Sequence, residues 1–318
     1  MQYDMLGSTG IRVSKICMGT MSFGGDADRE TSAAMFHRCR EAGVNFFDTA
    51  NIYTNGRSEE YLGEFISSCR DEVVITSKVG LGHPGGLSPQ YIAEQVAQSL
   101  RRLRTDRLDV YFCHRFDRQV PVEETLRAMD GLVRAGKVLH VGVSNWAAWQ
   151  IALALGDCKR LGAAPIEVLQ PMYNLAKRTA EIEILPLAAD RRMGVIPYSP
   201  LGGGLLTGKY AAGGEPQSRL NVNKMYQSRY SLEEYHRIAA RFAEYATRSG
   251  TAPVTLAVAW VKSHPAVTAA IIGARNLQQL EPSLAAGEYD MTPRQRDEIA
   301  ALTPLVPPAH DRTEKTGG

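Results

Sequence analysis

Short apolar runs alternate with longer amphipathic stretches along most of the chain, and this alternation limits the possible folds more than any single motif. Strand-like runs fall at 15–19, 44–48, 73–79, 108–114, 138–144, 168–171, 195–198 and 267–272. Between them, stretches such as 29–42, 58–69, 89–103, 122–135, 146–161 and 181–191 mostly carry apolar residues at the three- and four-residue spacing of a helix face. Near-continuous apolar strands joined by helices predict a parallel sheet covered by helices. Eight such units in 318 residues favour one closed (β/α)8 TIM barrel, with 1–318 as a single domain and no linker. The segment 201–230, rich in Gly, Ser, Asn and Arg, follows the seventh strand and is expected to be a long loop on the ligand-binding face, a candidate cofactor cover. The tail 303–318 has little apolar content and is expected to be mobile.

Composition removes several function classes. Lys and Arg total 36 against 34 Asp and Glu, a net charge of +2 without long runs of either sign, so nucleic acid is not the expected partner. The opening MQYDMLGSTGIRVSK carries Asp4 early and builds no signal-peptide core, and no stretch reaches membrane-spanning length. A cytoplasmic protein without a membrane partner is expected, and homo-oligomerisation stays open. The five cysteines, Cys17, Cys39, Cys69, Cys113 and Cys158, are scattered, odd in number and without CxxC spacing, so they signal neither a disulfide framework nor a metal site.

Two phosphate-loop patterns fail on inspection. Residues 80–85, GLGHPG, satisfy GxGxxG, but Pro84 interrupts the pattern and the next strand ends in His114 where a ribose-binding acid should stand, leaving an irregular loop as the better reading. Residues 203–209, GGLLTGK, match P-loop spacing, but Tyr210 takes the place of the hydroxyl that must reach magnesium.

Four side chains remain, and barrel geometry connects them. Catalytic groups in such barrels project from the C-terminal ends of several strands. Asp48 ends the second strand, Lys78 lies near the end of the third, His114 ends the fourth, and Tyr53 sits in the loop after Asp48. Singly, each has an ordinary explanation as a cap, a packed loop residue, a solvent-facing lysine or a satisfied interior histidine. Together they converge on one opening. Such a set could serve proton transfer: a tyrosine with an ordinary pKa of about 10 must be poised by its surroundings to act as an acid. Lys78 beside Tyr53 is expected to lower that pKa by roughly 1–3 units, with Asp48 keeping Lys78 charged. His114 can donate a hydrogen bond to the substrate carbonyl. The same lysine would alternatively suit Schiff-base chemistry.

The segments LGSTGIRVSKICMGTMSFGG, GVNFFDTANIYTNGRSEEYLGE, VVITSKVG, LDVYFCHRFD, GLVRAGKVLHVGVSNW, QPMYNL, IPYSPLGGGLLTGKY and IIGARNLQQLE follow one another as the motifs of the aldo-keto reductases do. The chain resembles that family over nearly its whole length, in the branch holding bacterial reductases, aryl-alcohol dehydrogenases and potassium-channel β-subunits. The resemblance implies a barrel closed at its N-terminal end by a hairpin, here expected at 3–16. It implies NADPH/NADP+ bound without a Rossmann fold, a small-molecule carbonyl substrate, and Asp48, Tyr53, Lys78 and His114 as the catalytic set. A cofactor-binding sensor acting through a partner, like the channel subunits, is the alternative within the same family.

The resemblance also assigns the cofactor contacts. Ser144, Asn145 and Gln170 match the residues that hold the nicotinamide carboxamide, and Tyr198 the aromatic that stacks on the ring. Ser199, Pro200, Leu201 and Gly203 match the pyrophosphate side, with glycine permitting close backbone approach, and Lys209 is counted among the cofactor-binding residues. Gly19, Thr20, Asp48 and Gly273 belong to the same lining. Arg275 resembles the 2′-phosphate ligand, as a guanidinium fork suits a phosphate dianion, with Lys209 and Lys262 as the next cations to consider. Gln279 matches an adenine-side position, whereas Pro282 and Ser283 stand where the family has a Glu-Asn pair. Met21, Phe23, Arg115 and Trp146 follow strand ends and are candidates for the pocket border, with Asp117 a candidate to neutralise Arg115.

Overall fold

The computed structural model describes residues 1–209 and 223–310. An antiparallel hairpin, β1 (Tyr3–Met5) and β2 (Arg12–Ser14), leads into eight parallel strands: β3 (Ile16–Gly19), β4 (Phe46–Asp48), β5 (Val74–Val79), β6 (Leu108–Cys113), β7 (Val138–Ser144), β8 (Ile166–Gln170), β9 (Gly194–Val195) and β10 (Ala270–Ile272). Neighbours in the sheet run in the order β10-β3-β4-β5-β6-β7-β8-β9. The hairpin pairs Tyr3 with Ser14 and buries Leu6 and Val13 in the barrel floor. Gly7 makes this close fit: it adopts φ +58°, and a Cβ there would lie 2.2 Å from the backbone nitrogen of Gly194.

Six helices connect the first seven barrel strands: α1 (Arg29–Glu41), α2 (Arg57–Phe65), α3 (Pro89–Leu103), α4 (Val122–Arg134), α5 (Ala148–Leu161) and α6 (Ile184–Asp190). Further along come α7 (Lys224–Arg229), α8 (Glu233–Ser249), α9 (Pro253–Lys262), α10 (Leu277–Ala285) and α11 (Pro293–Ala300). Helix starts follow side-chain chemistry: Asp28 accepts the Thr31 N–H at 2.8 Å, and Ser88 caps α3 with Pro89 at its first position. The GLGHPG segment before Ser88 is an irregular loop. Of 201–230, the described part holds a 3-10 turn, Gly202–Thr207, and α7, while 210–222 lie outside the described residues. The expected mobile tail likewise falls partly outside them, at 311–318, and 303–310 form no regular element.

Continuous apolar runs are explained by two packed layers. Along β6, Val110 and Phe112 join the cluster inside the barrel, while Leu108, Tyr111 and Cys113 join the cluster beneath the helices. The same period of two places Val74, Thr76 and Lys78 of β5 inward and Ile75, Ser77 and Val79 outward. The last two barrel strands are shorter than the expected 195–198 and 267–272. Pro197 has no N–H to give to a ladder, so closure relies on separate backbone bonds: Thr268 N–H to the Val195 carbonyl at 2.8 Å and Ile271 N–H to the Pro197 carbonyl at 3.0 Å. Among the described residues, no helix is long and apolar enough to cross a membrane.

Candidate active site

At the C-terminal ends of the strands, the inward face of β4 and β5 brings Asp48 and Lys78 together. Lys78 Nζ donates to Asp48 Oδ2 at 2.6 Å and to the Thr49 carbonyl at 2.6 Å. Asp48 Oδ1 accepts from Thr76 Oγ1 at 2.6 Å and Gln170 Nε2 at 2.9 Å. Its backbone carbonyl accepts the Thr20 N–H at 2.9 Å and Thr20 Oγ1 at 3.1 Å. The ion pair is therefore held by four chain segments. Lys78 is wholly buried, and burial is the strongest single influence and favours its neutral form, but the Asp48 carboxylate together with Tyr53 and Cys17 outweighs it and the pKa is raised.

Tyr53 opens a 3-10 turn, Tyr53–Gly56, directly above this pair. Lys78 Nζ lies 5.0 Å from the centre of its ring, and the His114 ring meets it edge-on, centroids 6.0 Å apart at 78°. The phenol does not behave as the sequence suggests: burial pushes its pKa up, and the opposing pull of Lys78 does not cancel it. Burial thus favours the protonated phenol rather than the phenolate the sequence leads one to expect. His114 follows β6 and donates its backbone N–H to the Val79 carbonyl at 2.8 Å. Burial first, then the charges of Lys78 and Arg115, lowers its pKa to about 3, so the imidazole is neutral near pH 7. Its Nδ1 is buried without a hydrogen-bond partner.

Polar groups from β7 and β8 tie into the same cluster. Ser144 Oγ donates to the Gln170 carbonyl at 2.8 Å, Asn145 Nδ2 donates to the His114 carbonyl at 2.9 Å, and Tyr198 OH donates to Asn145 Oδ1 at 2.6 Å. Beyond Tyr198, Ser199 has φ +59° and Asn174 Nδ2 holds its carbonyl at 2.9 Å. Pro200 and Leu201 then lead into three left-handed glycines, Gly202, Gly203 and Gly204. A Cβ on Gly203 would stand 2.6 Å from the Tyr226 ring, so only glycine fits there. Lys209 lies half-buried at the end of this segment.

The remaining candidates divide. Gly19 pairs with Asp48 across the sheet, and a Cβ on it would meet Ile271 at 2.9 Å; Gly273 has open space beside it. The Thr20 hydroxyl is also 2.8 Å from Ser58 Oγ, which makes Thr20 part of the support for Asp48. On the rim, Arg275 Nε pairs with Asp26 Oδ2 at 3.1 Å, and Gln279 Oε1 accepts the Arg275 N–H at 3.2 Å. Pro282 lies inside α10 and Ser283 is fully buried with an unpartnered hydroxyl. Lys262 is not at the mouth: its ammonium donates to Gln2 Oε1 at 3.0 Å and to the Tyr289 carbonyl at 3.0 Å, so it leaves the set of phosphate candidates. Phe23 is a core residue packed edge-on against Phe65 at 6.1 Å rather than a pocket wall. Asp117 spends its carboxylate on the N–H groups of Gln119 (2.9 Å) and Leu87 (3.3 Å) rather than on Arg115. Met21 and Arg115 are exposed, and the Phe116 ring meets Trp146 edge-on at 4.9 Å. Sequence reasoning missed Glu59, Arg102 and Tyr226, for which helical periodicity gives no signal beyond an ordinary solvated or packed face.

The mouth of this parallel barrel thus gathers a buried lysine–carboxylate pair, a tyrosine and a histidine from consecutive strand ends into one candidate active site. Comparison with known sequences agrees. The chain belongs to the aldo/keto reductase family, whose model matches residues 15–304. It is 37% identical to the probable voltage-gated potassium channel subunit beta of Arabidopsis thaliana, over 96% of this chain and 94% of that protein. It is 36% identical to the uncharacterized oxidoreductase YrpG of Bacillus subtilis, over 92% of each. To the aldo-keto reductase YhdN of the same bacterium it is 35% identical, over 88% of this chain and 87% of that one. The protein is thus an oxidoreductase of the family that uses NAD(P)(H) in general.

Proposed function

We propose that the protein reduces small aldehydes and ketones to alcohols with NADPH, and that Tyr53 supplies the proton. The observation carrying this reading is Tyr53 lying above the buried Lys78–Asp48 pair with His114 edge-on beside it. Several features suit a dinucleotide: the unpartnered His114 Nδ1, the left-handed glycine run, and the half-exposed Arg275 guanidinium. Ser144, Asn145 and Gln170 would hold the nicotinamide end with Tyr198 against its ring, the 199–203 segment and Lys209 the pyrophosphate, and Arg275 the 2′-phosphate. When bound, the nicotinamide supplies the hydride to the carbonyl carbon.

Each residue then has one task. The neutral imidazole of His114 donates its ring N–H to the substrate oxygen and fixes it near Tyr53. The phenol, kept protonated by burial, gives its proton to that oxygen as negative charge develops. The Lys78 ammonium stabilises the phenolate left behind, and Asp48 keeps Lys78 charged and aimed. The same raised lysine pKa argues against Schiff-base chemistry, which needs a free amine.

Incubation with NADPH and a panel of simple aldehydes tests the proposal through the loss of NADPH absorbance. Turnover with any of them supports it. The channel-subunit name of the Arabidopsis relative favours a second reading, a cofactor-holding module that acts through a partner, and tight NADPH binding without turnover would select it.

A further inference from the structure

The turn that carries Tyr53 is conformationally costly. Thr54 (φ +48°), Asn55 (φ +57°) and Gly56 (φ +90°) are left-handed in succession, an arrangement that persists only where surrounding structure imposes it. On one side Thr54 Oγ1 donates to the Phe23 carbonyl at 2.8 Å and accepts the Ser58 N–H at 3.0 Å. On the other side stands Arg102 of α3. Its guanidinium lies against Gly56 so closely that a Cβ there would be 2.6 Å from Arg102 Cζ. Nη1 donates to the Asn51 carbonyl at 3.4 Å and to Glu59 Oε2 at 3.1 Å, and Nη2 donates to Gln98 Oε1 at 3.1 Å. Glu59, on α2, is wholly buried, and its other oxygen accepts from Ser77 Oγ at 2.6 Å. Ser77 is the outward neighbour of Lys78 on β5.

One ion pair, with Glu59 wholly buried and Arg102 half-buried, thus joins both flanks of Tyr53 to the strand that carries Lys78. We infer that Arg102 and Glu59 are positioning residues that set the Tyr53 hydroxyl against Lys78 and so govern the proton-donating step. The role rests on the reductase reading for its catalytic meaning, although the geometry itself does not need it. Removing Arg102 would leave Glu59 as a buried carboxylate beside the Ser77 hydroxyl with no cation paired to it, whereas Arg102 without Glu59 keeps its bonds to Asn51 and Gln98.

Ultraviolet difference titration reads the Tyr53 phenol directly, by comparing each protein with and without Tyr53→Phe. The charged and titratable groups facing this phenol are Lys78, Asp48, His114, Tyr198 and Tyr226. Loss of the clamp moves Tyr53 away from Lys78, so Glu59→Gln and Arg102→Met should both raise its titration midpoint, by about half a pH unit or more. A simple field effect would give shifts of opposite sign, because one variant removes a negative charge and the other a positive one. Opposite or absent shifts would overturn the inference. Arg102→Lys, which keeps a cation for Glu59, should shift least, and circular dichroism should show all three folded. In turnover, each clamp variant should lose about tenfold in kcat, with little further loss when combined with Tyr53→Phe. Equal losses in both backgrounds would make the pair merely structural. If Tyr53→Phe alone keeps full turnover, the reductase reading fails, while the titration still decides the clamp.

Discussion

The mouth and the floor of the barrel each bury a lysine, and the two are treated in opposite ways. At the mouth, Lys78 meets a carboxylate at 2.6 Å and its pKa is raised. At the floor, Lys262 is 4% exposed and donates to neutral oxygens, those of Gln2, Gly287 and Tyr289, with the Asp290 carboxylate acting on it only at a distance. Burial then prevails, helped by Lys15, and lowers its pKa to about 8. Carbonyl dipoles satisfy the donors of an ammonium without offsetting the loss of hydration; a full opposing charge does both. The mouth therefore keeps a permanent cation under Tyr53, whereas the floor keeps a cross-brace between the chain start and the 287–289 segment.

Breaking the mouth pair gives the largest expected effect. Lys78→Met leaves Asp48 as a buried carboxylate with only Thr76 and Gln170 donating, and should cost about 3–5 kcal/mol in guanidinium unfolding. A loss no greater than that of a surface lysine would show that the two regions do not differ as described. Next in size is Tyr53→Phe, which should lower kcat by about 100-fold or more while NADPH binding stays near normal, since general acid catalysis contributes about that much. Turnover within a few-fold of the parent would remove Tyr53 from the role.

What could be read from sequence follows the same division. Strands, first helices and the Asp48, Lys78 and His114 positions were legible because a two-residue period and a strand end locate a side chain without reference to its neighbours. The inward turn of Lys78 is one step of that alternation. The sign of the Tyr53 shift was not legible, because it compares burial with a charge 5.0 Å from the ring, and burial depends on the whole assembled mouth. Lys262 was misplaced for a related reason: its helix is apolar on nearly every side, so periodicity could not say which end faced the hairpin. The Glu59–Arg102 pair brings together residues on different helices, which no local pattern records.

The floor lysine gives a smaller effect with a definite sign. Its pKa is about 8 in the folded protein against an ordinary value of 10.5, so between those values the unfolded chain holds a proton that the folded one has lost. Stability attributable to Lys262 therefore rises with pH across that window, by an amount on the order of 3 kcal/mol. Lys78 behaves oppositely: its raised pKa contributes stability that is complete below 10.5 and is lost as pH climbs through the folded value. Unfolding free energies of the parent and Lys262→Met, compared from about pH 7 to about pH 10, should diverge in favour of the parent as pH rises. Parallel curves would place Lys262 in the same class as Lys78.

The rim pair, a half-exposed Arg275 with an exposed Asp26, sets the lower limit of the comparison. Solvent screens it, so as an ion pair it is worth about 0–1 kcal/mol, and Arg275→Ala should leave the unfolding midpoint almost unchanged. Its effect belongs to binding instead. A charge-assisted contact with a 2′-phosphate is worth roughly 1.5–3 kcal/mol, and about 1.4 kcal/mol is tenfold in affinity. Fluorescence titration should therefore show NADPH weakened at least tenfold by Arg275→Ala and NADH nearly unaffected, because NADH has no phosphate at that position. Asp26 competes for the same guanidinium, so Asp26→Asn should tighten NADPH slightly and leave NADH alone. Equal weakening of both cofactors by Arg275→Ala would assign the arginine to support of the 275–279 turn, where its N–H meets Gln279, and would return Lys209 as the cation to test against the phosphate.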